Sequence, residues 1–298
     1  MNPTTQALTT PQTNEPSPDD ASKTFTPLEP KPKLPRRALI TGAASGIGRA
    51  FAKECAKKQI PLLLVDINEQ ALSQTANDIK QNYNIEIHTL TLDLSKPDAP
   101  QKCFDFCDQN DLQIDLLANI AGIFMFDPLL DADPARTNLM IDLHAKTVTN
   151  MSRLFGQRMR QRRYGFIMNM ASMSAWMPMP GIATYNATKS YIRSMSRSLR
   201  FELKPWNVSV TTVCPGGCDT PLLPLPDNIR TLAVNLGCLM SPQKLACKAL
   251  NATLKRKKQT IPGIINHLIR AFIVIIPDWL ISFIQKCLPI YERFYPKD

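Results

Sequence analysis

Thr41-Gly42-Ala43-Ala44-Ser45-Gly46-Ile47-Gly48 lies between a short apolar run, Ala38-Leu39-Ile40, and an amphipathic stretch over residues 48–58. Gly42 permits a tight turn, Gly46 lets the backbone approach a pyrophosphate, and Gly48 lets a helix pack closely on the preceding strand. The unpaired N–H groups that open such a helix, and its positive dipole end, suit phosphate. A glycine cluster alone says little, since any strand-to-helix turn can use glycine. A strand before it and a helix after it supply the context the motif needs. Outward from this turn the alternation repeats. Residues 61–65 (PLLLV) read as a buried strand, 69–81 as a helix, and 86–92 and 114–119 as strands. A helix over 145–162, a strand over 165–170, a helix over 185–203 and a strand over 208–213 follow. Apolar strands alternating with helices imply parallel βαβ units with both sheet faces covered. Residues 36–260 therefore read as one α/β domain with a doubly wound parallel sheet.

Asp66 ends the second strand, about twenty residues beyond the glycines, where a carboxylate binds both hydroxyls of an adenosine ribose. The same charge repels a 2′-phosphate, and neither Ser45 nor Ile67 supplies a cation for one, so NAD is preferred to NADP. Tyr185 and Lys189 stand four apart on a predicted helix, hence on one face. A phenol with pKa near 10 is a poor acid–base group at neutral pH, and a lysine one turn away lowers that pKa. Ser172, thirteen residues before Tyr185, ends a strand at the sheet edge where open α/β folds bind ligands. Taken singly, these residues also fit an exposed helix face and a strand cap.

Together the motifs resemble the short-chain dehydrogenase/reductase family, over roughly residues 37–223. The turn from Thr41 through Ser45 and Ile47 to Gly48 is similar to its cofactor motif. Ser172, Tyr185 and Lys189 match its catalytic serine and YxxxK. Asn119-Ile120-Ala121-Gly122 resembles its NNAG segment, Pro215-Gly216 with Thr220 its PG…T cofactor clamp, and Asp93-Leu94 falls where the family contacts adenine. The resemblance implies a Rossmann-like fold, cofactor contacts at these residues and at Asp66, and hydride transfer between a nicotinamide and a carbonyl or secondary alcohol. Tyr185 is then the general acid or base, and Ser172 polarises the substrate oxygen. Lys189 depresses the Tyr185 pKa and holds the nicotinamide ribose, and Thr220 orients the carboxamide. The resemblance also implies a homodimer or homotetramer paired through the Tyr185 helix and its neighbour. Two departures stand out. Ile120 replaces the second Asn of NNAG, and His144 falls where the family carries an Asn that completes a water-linked proton relay. Imidazole can hold a water or pass a proton; a helix-face histidine with no catalytic part fits equally well.

After Ser172 the chain reads Met173-Ser174-Ala175-Trp176-Met177, and Ser174, Trp176 and Met177 are expected to line the substrate pocket. Met and Trp make an adaptable apolar wall, so a small hydrophobic substrate is expected; a subunit contact would use the same side chains. Beyond residue 223 the family pattern stops. Lys255-Arg256-Lys257-Lys258 is a basic cluster, and residues 261–298 form a hydrophobic helical extension interrupted by Arg270, Pro277 and Asp278. Ile265, Leu268, Ile269, Phe272, Ile273 and Ile276 share one helical face, and Trp279, Leu280, Phe283, Ile284 and Leu288 repeat the pattern. No clean span for a transmembrane helix exists; two amphipathic helices beside a basic patch suit an in-plane anchor on an anionic membrane. Folding over the substrate pocket, or an interface, is the other reading.

Composition sets the outer bounds. The 298 residues are 44% apolar and 20% charged with net charge +10, which excludes global disorder and allows anionic partners. The lysine cluster lacks interleaved aromatics for base stacking, so nucleic acid is not expected. Eight cysteines and three histidines, without close metal-type spacing, predict free thiols and no metal site. Residues 1–35 hold eight of the 25 prolines and read as a disordered tail. The first residues lack the pattern of a secretory signal, so the cytoplasm, peripheral to the inner face of a membrane, is the expected location. Two functions follow: an NAD(P)-dependent oxidoreductase acting on a sterol-like or long-chain lipid-like ketone or alcohol, or a cofactor-binding, membrane-associated scaffold with little turnover.

Overall fold

Ala38, Leu39, Ile40 and Thr41 are all buried, as a strand covered on both faces requires. They form β1 (Ala38–Thr41) in the computed structural model, which describes residues 34–177, 179–219, 239–263, 266–267, 270 and 277–287. Side chains alternate across the sheet with period two. Ala38 and Ile40 therefore face one helical layer and Leu39 the other. The first layer holds α1 (Gly46–Lys57), α2 (Glu69–Asn82) and α7 (Pro242–Leu254), whose Phe51, Leu72, Ile79, Leu245 and Ala249 share one buried cluster. The second layer holds α3 (Ala99–Gln109), α5 (Val148–Arg162) and α6 (Ala183–Leu203). Its cluster includes Cys103 and Cys107 of α3, so the four-residue cysteine spacing is that of one buried helix face.

Seven parallel strands lie in the order β3-β2-β1-β4-β5-β6-β9, where β2 is Leu62–Asp66, β3 Ile87–Thr91, β4 Leu116–Asn119, β5 Gly165–Met170, β6 Val208–Val213 and β9 Gln259–Thr260. A separate short parallel pair joins β7 (Gly217–Cys218) to β8 (Leu239–Met240). The doubly wound parallel sheet expected from the alternation is present. The order reverses between β1 and β4, and a crevice outside the carboxyl ends of these two strands is where open α/β sheets bind ligands. The glycine turn, Asn119–Gly122, Ser172 and Pro215-Gly216 all follow strands at that edge.

Beyond the elements expected from sequence the structure adds α3, α7 and the two-residue strands β7, β8 and β9; α3 mixes Pro, Asp and Gln with its apolar positions. The helix expected over 145–162 begins much earlier, as α4 (Pro134–Ile141), with Asp133 capping Ala135 N–H at 3.0 Å. It passes through a π-helical turn, Asp142–Thr147, into α5, and His144 sits in that turn. The predicted first amphipathic face of the extension, together with residues 1–33, Thr220 and Leu288, lies outside the described residues. α8 (Asp278–Cys287) realises the second helix.

Candidate active site

Packing alone explains the last glycine of the turn. A Cβ on Gly48 would lie 1.9 Å from the Gly42 carbonyl oxygen. Ser45 occupies the N-cap position of α1 but its side chain makes no capping hydrogen bond. The opening N–H groups of the helix therefore keep donors for an anion. Asp66 joins the turn to β2: one carboxylate oxygen accepts from Ala44 N–H at 2.9 Å and the other from Asn68 N–H at 3.0 Å. Each oxygen retains a second lone pair, and the carboxylate stands at the strand end where a ribose would arrive. A close-approach turn, open helix donors and a carboxylate at the next strand end fit a nicotinamide dinucleotide.

Other predicted cofactor residues serve the frame. The Thr41 hydroxyl accepts from Ile120 N–H at 2.9 Å and Ala121 N–H at 3.0 Å, which holds the turn after β4 against β1. The Asn119 amide donates to Asn169 Oδ1 at 2.8 Å, and Asn169 donates to Ser196 Oγ at 2.9 Å, a fully buried chain from β4 through β5 to α6. Asp93 accepts from the Ser95 hydroxyl at 2.6 Å, and this bond holds its carboxyl below the usual range. Leu94 is buried, and its carbonyl accepts from Thr147.

Ser172, two residues beyond β5, caps a short 3-10 turn (Met173–Trp176) by accepting from Ser174 N–H at 3.1 Å, and its hydroxyl stands beside the Tyr185 phenol. Tyr185 lies in the first turn of α6. Phe124 meets its ring edge-on at 5.0 Å, and the Lys189 Nζ lies 5.5 Å from the ring centre. The Lys189 ammonium is buried and donates to Met170 O at 3.1 Å; burial pushes its pKa down to about 8. The expected lowering of the Tyr185 pKa by Lys189 is not present. Burial of the phenolate raises that pKa, and the opposing influence is the Ser172 hydrogen bond. The lysine charge is directed at a backbone carbonyl, and desolvation outweighs it.

On the pocket side Ser174 is buried with no partner for its hydroxyl among the described residues, and Trp176 and Met177 are half-buried. The Arg193 guanidinium stacks 4.2 Å from the Trp176 ring centre, with Arg270 of the extension at 5.8 Å. Met173 N–H donates to Pro215 O at 2.8 Å, and Asn266 packs against Gly216, so part of the extension lies beside this edge of the site. Asn169, Phe124 and Thr188 were missed from sequence. A polar residue amid the apolar β5 run was the one available signal, for Asn169.

A family model described as short chain dehydrogenase matches residues 36–227. The chain belongs to the short chain dehydrogenase family. It is 31% identical over 191 residues to a very-long-chain 3-oxoacyl-CoA reductase of Mus musculus, covering 62% of this chain and 60% of that one. It is 32% identical over 184 residues to sulfoacetaldehyde reductase 2 of Chromohalobacter salexigens, covering 61% and 72%. The chain spans about 60% of the length of the long-chain reductase it matches. Among solved structures, a bulky-bulky ketone specific alcohol dehydrogenase from Comamonas testosteroni aligns with TM-score 0.68 at 25% identity, over 89% of this chain and 100% of that one. A 3-oxoacyl-[acyl-carrier protein] reductase from Brucella melitensis aligns with TM-score 0.69 at 26% identity, over 76% and 88%.

Proposed function

We propose that this dehydrogenase transfers hydride between NAD(H) and the carbonyl or secondary alcohol carbon of a hydrophobic, lipid-like substrate. The observation that carries the reading is the placement of Tyr185 beside Ser172, between the edge-on Phe124 ring and buried Lys189, whose Nζ lies 5.5 Å from the phenol ring centre. Two hydroxyls so placed can grip one substrate oxygen. Ser172 polarises it, and Tyr185 gives it a proton in reduction or takes one in oxidation. The α1 N-terminus and Gly48 would hold the pyrophosphate, Asp66 the adenosine ribose, and Lys189 the nicotinamide ribose. The bound nicotinamide supplies or accepts the hydride. Phe124 packs edge-on against the phenol ring and keeps water from that edge. Ser174, Trp176 and Met177 form the pocket wall. The long-chain acyl and bulky-ketone relatives support a substrate with a large apolar body. Cofactor fluorescence followed by a panel of long-chain 3-oxoacyl thioesters, steroid ketones and bulky aryl ketones tests it. Cofactor binding without turnover of any of them would favour a scaffold.

Asp66 underlies the NAD preference. Asp66→Asn removes the charge facing a 2′-phosphate while keeping one acceptor oxygen. The NAD-to-NADP ratio of kcat/KM should fall roughly tenfold, about 1.4 kcal/mol. A ratio that does not move would remove Asp66 from cofactor discrimination.

Membrane attachment is the second part of the proposal. α8 exposes Trp279 (70%) and Phe283 (59%) one turn apart, while no helix among the described residues is long and apolar enough to cross a membrane. With the basic cluster at 255–258, an anionic lipid surface is the fitting partner. Trp279→Ser with Phe283→Ser should lower co-sedimentation with phosphatidylserine vesicles by about tenfold, with turnover of a soluble substrate retained. Equal partitioning of the variant and the parent chain would end the idea. We also propose a homodimer or homotetramer through α5 and α6, where Tyr191 and Phe201 are exposed.

A further inference from the structure

His144 is completely buried, yet both of its ring nitrogens face protein groups. Nε2 accepts from Ile123 N–H at 3.1 Å, and Nδ1 lies 3.0 Å from Thr188 Oγ1. The Thr188 hydroxyl in turn donates to Tyr185 O at 2.9 Å. These contacts determine where the protons are. A nitrogen facing an N–H donor carries a lone pair, so Nε2 is bare and the proton of a neutral ring sits on Nδ1. Thr188 has one hydroxyl proton, directed at Tyr185 O, and its oxygen is free to accept from Nδ1–H. Donors and acceptors match at every link. A protonated ring would set Nε2–H against Ile123 N–H.

We propose that His144 is a neutral positioning residue whose Nδ1-protonated ring ties the backbone after Gly122 to the helix turn bearing Tyr185, and that it is not a member of a proton relay. Both nitrogens are engaged with protein atoms, which leaves no ring nitrogen to hold a relay water. Close packing supports the tie: a Cβ on Gly122 would fall 2.7 Å from His144 Nε2, so glycine is required there by the ring itself. The titratable groups facing the ring from α6 are Lys189 and Tyr185, whose ring centre is 5.9 Å away. On its own turn Asp142 and Lys146 pair with each other at 2.7 Å. Burial, with the Lys189 charge adding to it, holds the His144 pKa well below the usual imidazole range, which keeps the clamp intact through neutral and mildly acidic pH. The π-helical turn presents the ring between two segments that each carry part of the site.

The catalytic part of this proposal rests on the reading of Tyr185 as acid–base; the proton assignment does not. With three histidines in the chain, ¹⁵N-detected histidine spectra of the full-length protein can be assigned by loss of one ring in His144→Gln. A bare Nε2 and protonated Nδ1, unchanged across about pH 5–8, are expected. A titrating ring, or a proton on Nε2, overturns the proposal. In turnover, glutamine reproduces the Nε2 acceptor and loses the Thr188 contact, so His144→Gln should lower kcat about 10- to 100-fold without removing a limb from the pH profile. Thr188→Val should do likewise, and Thr188→Ser should restore activity. Loss of a pH limb in His144→Gln, or unchanged kcat in both His144→Gln and Thr188→Val, overturns the positioning role. Unchanged turnover in Tyr185→Phe would instead sink the acid–base reading and the catalytic role resting on it, while the tautomer would still stand on its spectrum.

Discussion

Tyr185→Phe should lower kcat by about 10³-fold, some 4 kcal/mol in barrier, and leave the affinity for the dinucleotide within about twofold of the parent. The variant keeps the ring that packs on Phe124 and removes the hydroxyl beside Ser172. Packing is therefore preserved while the proton donor is deleted, and the loss falls in the chemical step. Stopped-flow hydride transfer beside a cofactor fluorescence titration separates the two quantities. A kcat close to that of the parent would end the acid–base assignment. The same site sets a pH signature. Lys189 has its pKa lowered to about 8, so it is a cation below that value and neutral above it. A step that draws on this charge is present at lower pH and declines as pH rises through about 8. In Lys189→Met that limb should vanish along with most of the rate.

Gly48→Ala should weaken dinucleotide binding by about 100-fold, or ~2.7 kcal/mol, and cost about 1–3 kcal/mol of stability. The added methyl would sit 1.9 Å from the Gly42 carbonyl oxygen, which is backbone and cannot rotate aside. Either α1 moves away from β1 or the turn opens, and both displace the helix N-terminus from its phosphate position. Lys57→Ala is the matched control, because Lys57 is exposed in the last turn of α1, far from the glycine turn. Thermal unfolding and a fluorescence titration of both variants decide the matter. Equal cofactor affinity in Gly48→Ala and the parent would show that close packing at this glycine is irrelevant to the site.

The residues that sequence reading located best are those whose chemistry is local. Asp66 follows its strand at a set distance from the glycines, and Tyr185 and Lys189 share a helix face by spacing alone. β5 and β6 match their expected spans because each is a continuous buried run. α4 escaped notice because its apolar residues are few and exposed, with Met140 its one buried residue. Asp133 as cap and Pro134 at the first helical position are its start signal in the sequence. Thr41 and Asn119 illustrate a subtler gap. The motif assigns them to the cofactor site, and in the structure their polar atoms hold β1, β4 and β5 together.

Period and spacing, which are properties of neighbouring residues, were enough to establish from sequence the parallel α/β fold, the glycine turn, and the joint presence of Ser172, Tyr185 and Lys189. Tertiary structure alone decided the electrical and protonation states of the site. Burial raises the Tyr185 pKa and lowers that of Lys189, with Ser172 after β5 opposing the first shift and Cys214 after β6 opposing the second. The proton on His144 is likewise set by Ile123 and Thr188, 21 and 44 residues away in the chain. Desolvation and hydrogen-bond direction depend on which atoms surround a group, and no local pattern in the chain carries that information.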